Sequence, residues 1–133
     1  MTRIARPLFL VLTVAILLAA CSGAAGPLAV QKVTFSTTEG GEAVTSFKPS
    51  DHIFYANVEL NRIETGLKVK TVWTAVETSQ GANVEVAQKE FSSLVANLIK
   101  AQVELPNDWP TGKYKLDIYL NGTLAKSAEF SVQ

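Results

Sequence analysis

Beyond residue 30 the apolar positions recur with a period close to two, the spacing at which alternate side chains of an extended chain reach one face of a sheet. Val33 and Phe35 alternate with Lys32, Thr34 and Ser36 before Glu39-Gly40-Gly41-Glu42 breaks the run. Phe54, Ala56, Val58 and Leu60 share one face of residues 52–60, and residues 61–66 (NRIETG) turn the chain. Leu67, Val69, Thr71 and Trp73 then alternate with Lys68, Lys70 and Thr74, and a Trp at that place is a natural core anchor. A turn at residues 79–83 (SQGAN) leads to a weaker strand over 84–91.

The next stretch is ambiguous in its period. Phe91, Leu94, Val95 and Leu98 match helical spacing, whereas Ile99, Ala101, Val103 and Leu105 match strand spacing with Lys100, Gln102 and Glu104 outward. We assign a strand to 98–105 and leave 92–97 as an irregular connection or one helical turn. Tyr114, Leu116, Ile118 and Leu120 alternate with Lys115, Asp117 and Tyr119, and Asn121-Gly122 separates them from Leu124, Ala128, Phe130 and Val132. Asn-Gly predicts a two-residue hairpin, because both central residues of a type I′ turn need positive φ. Lys126 falls in register with the apolar face, which predicts a bulge or bend near Ala125. About seven strands at intervals of roughly 8 to 15 residues is the pattern of an all-β, antiparallel two-sheet sandwich.

The first 20 residues differ from the rest. Arg3 and Arg6 make a short positive start, and residues 7–20 (PLFLVLTVAILLAA) form an uncharged apolar run. That run is short for crossing a hydrocarbon core, which takes roughly 20 apolar residues, and it ends in small side chains as a signal peptide does. Leu18-Ala19-Ala20-Cys21 then resembles the lipobox of bacterial lipoproteins. The resemblance implies thioether lipidation of Cys21, cleavage after Ala20 and acylation of the new amino terminus, commonly with palmitate. One acyl chain gives marginal membrane binding, while two or more, at about 0.8 kcal/mol per buried CH₂, hold a protein on a bilayer. Two plainer readings compete: an uncleaved membrane anchor, or cleavage after Ala25 to leave a secreted protein with an unpaired thiol. Ser22 rather than Asp follows the cysteine, which in a bacterium with two membranes favours the outer one. The expected organisation is a signal peptide over 1–20, a lipidated cysteine and tether over 21–29, and one β-domain over 30–133.

Trp73, the corner at residues 105–114 (LPNDWPTGKY) and the closing Asn-Gly hairpin resemble the immunoglobulin-like or fibronectin-type modules of bacterial surface proteins. The resemblance implies that Tyr114, near the start of the penultimate strand, anchors the corner through its hydroxyl. With a single Cys in the chain no inter-sheet disulfide is available, so packing alone must hold the core.

Composition narrows the chemistry. Hydrophobic residues at 47% and equal numbers of acidic and basic residues, 12 each, exclude a disordered tail. Without Arg3 and Arg6, ten basic residues face twelve acidic ones, a balance near −2 that argues against nucleic-acid binding. His52 is the sole histidine, so zinc sites and Cys/His nucleophile pairs lack ligands. A Ser-His-Asp set using Asp51 is weak, since adjacent strand residues point apart and no G-x-S-x-G elbow occurs. The carboxylates mostly occupy outward phases or turns, which solubility alone produces. Glu39-Gly40-Gly41-Glu42 has acidic flanks that repel phosphate, and no EF-hand spacing appears. Asn121-Gly122-Thr123 matches a glycosylation sequon, but the turn explains it. No cofactor or metal is expected.

Binding remains. Lys70, Val72, Thr74, Lys115, Asp117 and Tyr119 should lie side by side if their strands pair, with Val72 and Tyr119 as a small apolar spot rimmed by charge. Trp109 is a second candidate contact residue, although an indole between Asp108 and Pro110 also suits a fold-back that closes the end of the sandwich. The expected function is a non-enzymatic, lipid-anchored envelope module that touches a protein or polysaccharide outside the cytoplasm. The alternative is an accessory lipoprotein subunit of a membrane transport or secretion complex.

Overall fold

The alternation becomes strand pairing in a computed structural model that describes residues 26–133. The expected signal peptide and Cys21 lie outside the described residues. Eight strands follow in order: β1 (Val30–Ser36), β2 (Ser46–Phe47), β3 (Ile53–Leu60), β4 (Val69–Thr78), β5 (Gly81–Phe91), β6 (Leu98–Glu104), β7 (Gly112–Leu120) and β8 (Thr123–Val132). They build a three-stranded sheet, β1-β3-β6, and a five-stranded sheet, β2-β8-β7-β4-β5. The protein is an all-β, two-sheet sandwich. The strand absent from the sequence expectation is β2, whose two residues are too few to show a period. It pairs with β8 in parallel while the other pairings are antiparallel.

Strict alternation marks the strands with one face in the core. β3 and β6 each bury every second residue, so Phe54, Ala56, Val58 and Leu60 meet Ile99, Ala101 and Val103 on the inner face. The helical spacing at 91–98 loses to this pairing, and residues 92–97 form an irregular connection. The hairpin after β7 has two loop residues, Asn121 at φ 49° and Gly122 at φ 84°, as the Asn-Gly pair predicts. Ile118 pairs with Lys126 and Tyr119 with Leu124, so Ala125 is the extra residue of a bulge. That bulge corrects the expected inward phase of Leu124: it stands opposite outward Tyr119 and is 51% exposed.

The core divides along the strand axis. Phe35, Phe47, Phe54, Trp73, Trp109, Tyr114 and Phe130 form one chain of ring contacts toward the corner end, including stacks of Phe54 on Phe47 at 4.1 Å and on Trp109 at 4.2 Å. Val58, Leu60, Leu67, Val69, Ile99, Ile118 and Leu120 fill the opposite end. At the corner the Tyr114 hydroxyl donates to the Pro110 carbonyl at 2.6 Å, the role expected from the resemblance. Burial raises the phenol pKa above its ordinary value. Gly112, at φ 143°, lets β7 cross close to β4, where a Cβ would overlap the backbone of Glu77 and Thr78.

Candidate functional site

The outward residues of β4 and β7 meet one to one. Lys70 pairs with Tyr119, Val72 with Asp117 and Thr74 with Lys115, each from alternate positions whose partners on the other face belong to the core. β5 extends the row by placing Glu90 beside Lys70 and Gln88 beside Val72, and β8 adds Ser127 beside Asp117. Lys70, Val72, Lys115, Asp117 and Tyr119, five of the six expected contact residues, therefore share one sheet face.

The face is more polar and more internally paired than an apolar spot. The Lys70 ammonium lies over the Tyr119 ring, 4.7 Å from its centroid, so a cation covers the aromatic surface. Asp117 is buried among its neighbours, where its carboxylate meets Lys115 Nζ at 3.1 Å and accepts a hydrogen bond from Ser127 Oγ. Val72 is half-buried between these groups. Ser127 was missed by the sequence reading although the expected bulge at Ala125 is what puts it opposite Asp117.

Trp109 does not belong to this face. It is 2% exposed, stacked on Phe54, with its indole N–H donating to the His52 carbonyl at 3.1 Å and its backbone N–H to the Pro49 carbonyl at 3.0 Å. The expectation of Trp109 as a contact residue is thus corrected in favour of the fold-back: the indole stacks on Phe54 and meets Tyr114 edge to face inside the core. It lines a cleft of about 180 Å³ together with Ala75, Val84, Val86, Leu105 and Tyr114, between β5 and the corner.

His52 finds an exposed partner at this corner. Its Nε2 lies 3.0 Å from Asp108 Oδ1, a residue 56 positions away that no local spacing could have indicated. Asp51, considered in sequence as its neighbour, instead accepts from the Lys48 backbone N–H at 2.8 Å. Among the described residues, no three His, Cys, Asp or Glu side chains converge as metal ligands, and no buried side-chain nitrogen or oxygen lacks a hydrogen-bond partner.

The start of the chain is tied down sooner than a tether over 21–29 implies. Gly26 O accepts from Arg62, Pro27 O from Asn61 Nδ2 at 2.9 Å, and the Ala29 N–H donates to Asn61 Oδ1 at 2.9 Å. Residues 26–29 therefore belong to the domain, because the loop after β3 supplies partners for backbone groups that a tether would leave to water.

No protein-family model matches the sequence, and no curated protein matches it. Solved structures match in fold. An immunoglobulin-like protein from Pseudomonas aeruginosa aligns with a TM-score of 0.51 at 15% identity, covering 82% of this chain and 94% of that one. The alkylpurine DNA glycosylase AlkC of Pseudomonas fluorescens, bound to DNA containing an abasic site analog, aligns with a TM-score of 0.53 at 17% identity over 84% of this chain. The alignment covers 32% of the glycosylase, so the chain spans about a third of its length. At such identities the likeness concerns the fold, which is an immunoglobulin-like β-sandwich.

Proposed function

We propose that the chain is a lipid-anchored, non-enzymatic protein of the cell envelope that displays its sandwich for contact with a protein or a polysaccharide. The anchor rests on Leu18-Ala19-Ala20-Cys21 behind a charged and apolar leader. The contact role rests on the pairing of Lys70, Val72 and Thr74 with Tyr119, Asp117 and Lys115, the observation that carries this reading. Side chains already held by their neighbours lose little rotamer freedom on binding, so a flat, charged and ordered face suits a modest contact surface. The DNA held by the glycosylase neighbour does not transfer to this chain, whose balance near −2 without the leader lacks the basic excess that phosphate contacts require.

A photoreactive side chain placed at Thr74 in intact cells, with Val84 as the control position, tests the contact role. Crosslinking from Thr74 to a protein or glycan, reduced by Lys70→Glu with Lys115→Glu, is the expected result. One stoichiometric membrane partner would make the chain an accessory subunit, and retention on cell-wall glycan would make it adhesive. Crosslinking no stronger than from Val84 sinks the contact role. Mass spectrometry of the native amino terminus tests the anchor independently: an unmodified Cys21 ends it.

A further inference from the structure

Large apolar side chains exposed on the described domain are Ile63, Val84, Val95, Leu98 and Leu124. Four of the five lie toward one end, on loops and strand ends of both sheets. Leu98 opens β6 opposite Glu59, Val95 lies just before it, and the Leu60 N–H bonds to the Asn97 carbonyl at 2.8 Å. Ile63 sits in the loop that follows Leu60. Leu124 follows the hairpin, which is clasped to the start of β4 by Asn121 Oδ1 accepting from Lys68 N–H at 3.0 Å and by Asn121 N–H donating to Lys68 O at 2.9 Å. Val95 is 95% exposed, so the domain itself gives this side chain no apolar cover.

This is also the end at which the chain enters the domain, through Gly26, Pro27 and Ala29 on the loop of Asn61 and Arg62. Cys21 precedes Gly26 by five residues, a reach of at most about 17 Å even when fully extended. The eight residues of β3 alone span about 26 Å, so a lipid on Cys21 cannot bring the far end, with Val84 and Trp109, to a membrane while this end stays away. A cleft of about 340 Å³ bounded by Leu28, Leu120 and Leu124 opens at the same end. Exposed Lys68 and Lys126 flank the hairpin, while Glu64 is occupied by Arg62 at 2.8 Å.

We infer that this end of the sandwich is a bilayer-docking surface, on which Ile63, Val95, Leu98 and Leu124 seat against the boundary between headgroups and acyl chains; this rests on the lipid-anchor reading. Aliphatic side chains at that depth exchange water for hydrocarbon, and lysines beside them meet anionic headgroups. The acyl tails supply the residence, and the apolar end supplies the orientation. The strands then stand away from the membrane, and the face of Lys70, Asp117 and Tyr119 looks along it.

The test uses the full-length protein in membrane vesicles, with Val95→Cys, Leu124→Cys and Val84→Cys each carrying an environment-sensitive fluorophore. The expected result is emission shifted to shorter wavelength, and quenching by nitroxide-bearing lipids, at 95 and 124 but not at 84. Adding Ile63→Glu and Leu124→Glu to the Val95→Cys protein should reduce that quenching while the mass of the acylated terminus stays unchanged. Labels at 95 and 124 that behave like the one at 84, on protein with an acylated Cys21, overturn the docking surface and leave the anchor standing. A shifted emission without quenching by the lipids overturns it in favour of a protein covering that end. An amino terminus without acyl groups overturns both.

Discussion

The two ends of the sandwich are built from different side chains and meet their surroundings differently. Toward the corner, seven aromatic rings form one contact network, with Trp109 folded back and Tyr114 tied to Pro110, and Val84 is the one large apolar group there that stands exposed among the described residues. Toward the chain entry the core is aliphatic, the loops are held by asparagine side chains at 61, 97 and 121 bonded to backbone, and four large apolar groups face outward. Rings are broad, rigid plates that close an end by stacking on few neighbours. Amide side chains close an end by satisfying loop N–H and C=O groups, which leaves the loop's own apolar side chains unused. One end thus completes itself, and the other is complete in its hydrogen bonds yet unfinished in its apolar surface.

Four substitutions can break or sharpen this contrast. Phe54 is fully buried between Phe47, Trp109 and Phe130, so Phe54→Ala should cost about 3 to 5 kcal/mol. Urea unfolding should show that loss to exceed the loss from Leu60→Ala at the aliphatic end; equal losses would dissolve the distinction between the two halves. Tyr114→Phe should cost about 1 kcal/mol by removing the bond to Pro110. Because burial raises the folded phenol's pKa, the unfolded chain loses that proton first as pH climbs past about 10, and stability falls there. The stability gap between wild type and Tyr114→Phe should therefore narrow in that alkaline range, and a gap that stays constant would contradict the burial. Val95→Ser should change stability by no more than about 0.5 kcal/mol, since a side chain this exposed packs against nothing in the domain. A larger loss would mean that the entry end does bury its apolar groups.

Features with a local cause were legible along the chain. The period of two placed Phe54 to Leu60 and Ile99 to Val103 inside, the Asn121-Gly122 pair announced its hairpin, and out-of-phase Lys126 betrayed the bulge at Ala125. That Lys70, Val72 and Thr74 share an outer face with Lys115, Asp117 and Tyr119 was equally readable, because phase follows once one face of each strand must be buried, while the individual pairs come from the register. What escaped were consequences of distant segments meeting. Asp108 reaches His52 only because the corner folds over the start of β3, and residues 26–29 leave the tether only because Asn61 waits 32 positions later. Leu124 was misplaced for a subtler reason: a bulge was foreseen, but a bulge reverses the phase of every residue on one side of it.

A second bulge acts at the open flank of the larger sheet. Along β5, Ala87 sits opposite Trp73 and Glu85 opposite Thr74, so Val86 is surplus and the strand buckles there, with exposed Glu85, Lys89 and Glu90 on either side. Were the proposed lipid anchor to confine the protein to a plane, neighbours would collide far more often than in three dimensions, and straight, uncharged sheet margins would zip such a population into ribbons. There a buckled, charged margin would let neighbours crowd shoulder to shoulder without fusing.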